Sequence, residues 1–318
     1  MVGGWRFFLK THDRQQATNN LKTHLTMNVL NILELIRQED PEVYERLDTR
    51  RAAMRQFARF GKKLTLAAGP VALGSMLNKA YGQTPTAALQ EVLNFALTLE
   101  YLEAEFYATA LAKPDLIPAA ARPAIVTIAN HEAAHVKFIA GAIASAGGTP
   151  ITKPTFDFSG GSGTGTGPLA SALTDYRAFL ALAQVLEDTG VRAYKGQAPN
   201  LIGTGAVLTA ALNIHSVEAR HASQIRQMRR AVEGANIKPW ITGDQTDIPV
   251  PPSAAVNAYA GEGGTVQGGI EVAGLRLPGI VPVNGTAQYT NSQRVSEAFD
   301  EPLTRQQVEF IVSPFFAR

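Results

Sequence analysis

The chain has 318 residues, 45% of them apolar, enough to bury a substantial core and to exclude disorder throughout. It contains no cysteine, which excludes disulfides, thiolate metal sites, iron–sulfur clusters and cysteine nucleophiles, so any metal must sit on oxygen and nitrogen ligands. The formal charge of +2 is unevenly spread, with 13 Lys/Arg against 7 Asp/Glu in residues 1–82 and 16 against 20 in the rest; no basic stripe follows the pattern of a phosphate backbone, and nucleic-acid binding is not expected.

Residues 1–82 read as an N-terminal leader. The basic run TRRAAMRQFARFGKK at 49–63 precedes an uncharged stretch of 14 residues, LTLAAGPVALGSML, which is too short for an ordinary membrane span. Basic, then apolar, then small residues is the order of an export signal, with a cut expected near Gly82. The Arg50–Arg51 pair points to the twin-arginine route and so to a periplasmic or extracellular destination, with no stable span in the mature form. A retained amphipathic or buried helix is the competing reading of the same residues. The basic run lies far from Met1, and Met27 offers an alternative start.

Residues 83–233 carry alanine- and leucine-rich stretches with helical apolar spacing, and the breaks between them predict four helices, making an all-α fold. The first is expected over Thr86–Ala112, stopped by Pro114 and Pro118. The second is expected over Ala119–Ala146, ending at Gly147–Gly148. About twenty residues without apolar periodicity follow, GGTPITKPTFDFSGGSGTGTGP, long enough to cross from one end of a bundle to the other. The third helix is expected over Leu169–Gly196 and the fourth over Gly203–Glu233, with Pro199 and Asn200 in the break. Short first and third connections with a long second one are the layout of a ferritin-like four-helix bundle. Residues 234–318 form a C-terminal extension enriched in Gly, Pro, Val and Thr. It is expected to be mostly irregular, with short strands and one terminal helix opened by a Thr304/Gln307 capping box.

Within the helical region lies an internal repeat. LEYLEAEFY and NHEAAHVKF in the first half correspond to LEDTGVRAY and HSVEARHAS in the second. Each half has a Glu, a Tyr seven residues later, then Glu-x-x-His; Glu100 precedes Glu132 by 32 residues, and Glu187 precedes Glu218 by 31. Residues three apart share a helix face, so Glu132 pairs with His135 and Glu218 with His221. Two antiparallel hairpins facing each other would then bring four carboxylates and two imidazoles to the bundle axis. That donor set suits two divalent metals, whose charge balances the four carboxylates; without them the buried carboxylates would be forced to take up protons. Chance is a poor explanation, because the 13 Glu and 4 His among the 236 residues after position 82 predict about 0.2 Glu-x-x-His pairs, against the two found in register.

These motifs, LEYLEAEFY, HEAAH, LEDTGVRAY and VEARH, resemble the ferritin-like superfamily, and are most similar to bacterial ferritin-like domain proteins related to plant desiccation-related proteins. The leader and the tail DEPLTRQQVEFIVSPF also resemble that group. The resemblance implies a carboxylate-bridged di-iron or di-manganese centre reacting with oxygen or peroxide, iron ranking ahead of manganese. Similarity to rubrerythrin-type halves makes Glu100 and Glu187 the terminal carboxylates and Glu132 and Glu218 the bridging ones, with His135 and His221 completing the two ions. No cysteine-rich iron centre accompanies the bundle, so a rubrerythrin peroxidase is not supported. Ferrous oxidation, manganese catalase activity and a structural, stress-protective role without turnover all remain open, as does whether the chain is an enzyme; a homo-oligomer is compatible with the family.

The neighbours are read more blandly. Tyr107 and Tyr194 are candidates for hydrogen-bonding a ligand carboxylate or for electron transfer, with packing an equal alternative. Glu103 is expected on the surface rather than as a substitute ligand. His215 is a candidate outer donor or extra ligand, and His131 and Asp188, adjacent to ligands, are expected to point away.

Overall fold

The computed structural model describes residues 87–234, 236–245, 248, 257–267, 269–273 and 291–317. The leader, the cut near Gly82 and the alternative start at Met27 lie outside the described residues. The described chain is mostly helical, and none of its helices is long and apolar enough to cross a membrane.

Four long helices form the core of the fold: α1 Ala87–Ala112, α2 Arg122–Ser145, α3 Tyr176–Gln197 and α4 Ala206–Glu233. Helix α1 packs along α2 and α3 along α4, and the two hairpins meet through α1 and α3. The reason lies in the apolar spacing. Leu89, Leu93 and Leu97 of α1 recur at four-residue intervals and pack with Ile139 and Ile143 of α2 and Val207 and Ile214 of α4. Towards the other end, Leu102 and Phe106 join Ile125 and Ile128 of α2, and Phe179, Leu182 and Leu186 of α3.

Three expected helix starts moved, that of α4 from Gly203 to Ala206. Helix α2 begins at Arg122 with Pro123 in its first turn, where a missing N–H costs nothing. Helix α3 begins at Tyr176 instead of Leu169, because Asp175 adopts an extended backbone and its side chain accepts the N–H of Ala178 at 2.8 Å, capping the helix there. The preceding Ala170–Leu173 forms only a short 3₁₀ turn. At the far end of α2, Gly147 takes φ 81°, and the N–H groups of Gly147 and Gly148 close on Ala144 O and Ile143 O.

The crossover from α2 to α3 is ordered by one carboxylate. Asp157 accepts the N–H groups of Ser159, Gly163 and Gly165 at 3.0, 2.8 and 3.0 Å, folding the glycine-rich stretch around itself. Its backbone N–H in turn donates to Phe315 O at 2.7 Å, which ties the crossover to the chain's last turn.

Beyond the bundle the described extension holds a hairpin of two short strands, β1 Val266–Gln267 and β2 Ile270–Glu271, paired antiparallel. It also holds the helices α5 Asn291–Ala298 and α6 Arg305–Val312, where the sequence suggested a single terminal helix. The Thr304/Gln307 capping box is formed in full. Val308, Ile311 and Phe315 are fully buried in the same core as Phe106 and Phe179.

The extension covers the outer face of α3, which is why nearly every residue from Phe179 to Tyr194 is buried. A helix buried all round needs partners for its polar residues. Gln184, Asp188 and Arg192, one turn apart, find them there. Asp188 pairs with Arg226 of α4 at 2.5 Å and accepts the Tyr259 hydroxyl at 2.6 Å, while Gln184 donates to that hydroxyl at 2.9 Å. Arg192 pairs with Glu262 at 2.5 Å and donates to the carbonyls of Ala258, Ala260 and Glu301.

Candidate metal centre

Helical geometry delivers Glu100 from α1, Glu132 and His135 from α2, Glu187 from α3, and Glu218 and His221 from α4 to one place inside the bundle. All six are buried, and the four carboxylates have no exposure at all. Ligand atoms of Glu100, Glu132, His135 and Glu218 all lie within 4.8 Å of one another. So do those of Glu132, Glu187, Glu218 and His221. Glu132 and Glu218 belong to both groups, whereas each of the other four belongs to one.

The contacts follow this division. His135 Nδ1 lies 3.1 Å from Glu100 Oε2, 3.3 Å from Glu132 Oε2 and 3.1 Å from Glu218 Oε1. His221 Nδ1 lies 2.8 Å from Glu132 Oε1 and 3.3 Å from Glu187 Oε2. Proximity does not amount to satisfaction: Glu132 Oε1, Glu187 Oε2, both oxygens of Glu218 and His221 Nδ1 are buried without a properly aligned hydrogen bond. Among the described residues only one other side-chain atom, Glu262 Oε2, shares that condition. Unsatisfied buried polar atoms are rare and costly, and five converging on one point fit a cation that would satisfy them together.

Protonation compensates in part. Burial pushes the Glu100 carboxyl up to about 7 and the Glu187 carboxyl well above its usual range. Burial opposes charge on the histidines too, but the close carboxylates of Glu100, Glu132 and Glu218, accepting from or facing its N–H, outweigh it for His135, which is held well above the ordinary imidazole range. His221, similarly placed against Glu132 and Glu187, is raised to about 10.

The two tyrosines act across the bundle rather than along their own helices. Tyr107 of α1 donates to Glu187 Oε1 of α3 at 2.5 Å, and Tyr194 of α3 donates to Glu100 Oε1 of α1. Each thus holds the carboxylate of the opposite hairpin. Burial, followed by the charge of the carboxylate each one holds, keeps both phenols protonated.

Glu103 corrects an expectation. It is only 2% exposed, and burial together with the charges of Glu218, Glu132, Glu187 and Glu100 pushes its carboxyl well above the usual range. The reason is geometric: three residues after Glu100 it shares that residue's inward face, and α3 presents a glycine, Gly190, opposite it. The second half of the repeat has glycine where the first has Glu103, so comparing the halves offered a signal for the pairing.

The remaining neighbours stand outside the cluster. His131 is exposed, and its Nδ1 sits 2.9 Å from His221 Nε2. Partial desolvation and the nearby His221 lower its pKa, and a neutral His131 can accept the Nε2–H of His221 as a hydrogen bond, which leaves His221 Nδ1 facing the carboxylates. His215 bonds through Nδ1 to the Val191 carbonyl at 2.9 Å, and Asp188 is committed to Arg226.

Residues 89–231 match the ferritin-like domain. No curated protein sequence matches this chain significantly. The ferritin-like match begins at Leu89 in α1 and ends in the last turn of α4, so it covers the bundle that carries all six clustered residues. The buried Glu/His cluster within the matched residues is compatible with bound metal.

Proposed function

We propose that the ferritin-like bundle binds two divalent ions, iron ahead of manganese, and serves oxidoreductase chemistry with oxygen or peroxide, ferrous oxidation being the leading form. The observation that carries the proposal is the convergence of five unsatisfied buried ligand atoms in two overlapping groups. Glu100 and His135 would serve one ion, Glu187 and His221 the other, and Glu132 and Glu218 would be shared. Iron in that position would supply the electrons that oxygen or peroxide accepts.

The chain's own residues then have distinct tasks. Tyr107 and Tyr194 hold the carboxylates of Glu187 and Glu100 in orientation and leave their second oxygens turned inward. His131 fixes the tautomer of His221. Leu102, Phe106 and Ile128 keep bulk water from one end of the site, strengthening its electrostatics. The basic run and uncharged stretch within residues 49–77 support the accompanying proposal of export by the twin-arginine route, in which the ions are loaded before the folded protein crosses the membrane.

Elemental analysis of the purified protein tests the first step. Two equivalents of iron or manganese per chain, lost in Glu132→Ala plus Glu218→Ala, support it; full metal content in that double variant refutes it. Peroxide consumption with and without ferrous iron separates the chemistries. Iron oxidation supports the leading form, oxygen release without iron indicates catalase activity, and metal without turnover indicates a structural role.

A further inference from the structure

The two halves of the repeat differ in what surrounds their tyrosines. Tyr107 is fully buried, its ring edge-on to Phe106 at 5.4 Å and to Phe179 at 6.2 Å. Its counterpart Tyr194 retains 8% exposure, and its ring lines a cavity of about 40 Å³ between α1, α2, α3 and α4. The cavity wall is almost wholly apolar, built from Phe95, Leu99, Ile139, Ala142 and Ile214 among others, and its outer rim includes the half-buried Ala210 and Ala211 of α4. The hydroxyl of Tyr194 is turned to Glu100, so the cavity meets only the ring, one hydrogen bond away from the carboxylate cluster.

Such a space is large enough for water but chemically wrong for it. A water needs about 10–15 Å³ and two to four polar partners, and apolar cavities that lack such partners stay dry and take up apolar guests. Hydrogen peroxide, with two hydroxyls to satisfy, is disfavoured for the same reason. A diatomic apolar gas needs neither partner nor much room.

We infer that the cavity beside Tyr194 is a binding site for a small apolar molecule of the dioxygen class, and that the centre is approached by dioxygen from this side and not from the sealed Tyr107 side. The first half concerns the cavity alone; the second rests on the metal reading above. It makes dioxygen, rather than peroxide, the oxidant for which the bundle holds a place.

Xenon is the probe, since it is apolar, close in size to dioxygen and visible by anomalous scattering. Crystals pressurised with xenon should show it against Phe95, Ala142 and Tyr194, with no site beside Tyr107. Ordered waters in the cavity, or no xenon there, overturn the inference. Ala142→Leu and Ala96→Leu each narrow the space from a different helix, so failure of one variant to fold leaves the other. Both should retain the metal content of the parent and its rate of iron oxidation by peroxide, while oxidation by dioxygen slows several-fold. An unchanged dioxygen rate in a folded, filled variant overturns the access role. If the protein binds no metal, the metal reading falls, and the xenon measurement still decides the cavity.

Discussion

A Cβ placed at Gly190 would lie 3.1 Å from Glu103 Oε1 and 3.3 Å from Glu218 Oε2. The glycine of α3 thus leaves the space in which a fifth carboxylate approaches the shared Glu218. Five carboxylates against two imidazolium ions leave the metal-free centre over-supplied with acid, and Glu103 is the member with neither a histidine contact nor a tyrosine hydrogen bond among those described above.

From this comes a stability prediction with a sign. A carboxyl whose folded pKa is raised costs stability once pH climbs above its unfolded value, near 4.5, and increasingly so up to the raised folded value. Metal-free Glu103→Gln should therefore melt higher than the parent, with a gain that is small at pH 5 and grows towards pH 9. Thermal unfolding of both apo proteins across that range is the check; an equal or shrinking gain contradicts it.

Metal loading should release protons. His221 keeps its proton up to about 10 and His135 is raised further, so at neutral pH an incoming ion must displace both. Affinity should rise with pH between 6 and about 10. The apo protein moves the opposite way, since stability from the raised His221 is fully present below the unfolded value near 6.5 and fades as pH passes about 10. Calorimetric titration in buffers of different ionisation enthalpy measures the protons directly.

Tyr107→Phe should cost about 1–3 kcal/mol of stability, the penalty of leaving a buried acceptor unpaired. Glu187 would then have neither oxygen satisfied, because Oε2 is already without a hydrogen bond. Urea unfolding of the apo variant measures the loss, and added metal should recover part of it. A variant as stable as the parent would show the hydrogen bond to be dispensable.

Gly196→Ala probes how the extension is fixed to the bundle. A Cβ there would lie 1.9 Å from the carbonyl oxygen of Leu303, whose N–H donates to Arg192 O at 3.1 Å. Backbone cannot yield that far, so the segment leading into α6 should detach from α3, exposing Leu303 and unpairing Arg192 from Glu301. Limited proteolysis should cut the variant before Arg305 while the parent resists.

Much of this protein was legible from the chain alone. Helix spacing, proline and glycine breaks and the duplicated Glu, Tyr and Glu-x-x-His pattern determined the bundle and nominated the residues that meet at its centre, because helical periodicity converts residue spacing directly into direction. Tertiary structure alone decided the rest. It showed that each tyrosine serves the opposite hairpin, that Glu103 turns inward over Gly190, and that Gln184, Asp188 and Arg192 of α3 are covered by the extension. Each of these depends on which surface another part of the chain brings to a helix face, and residue spacing along one helix carries no record of what will be packed against it.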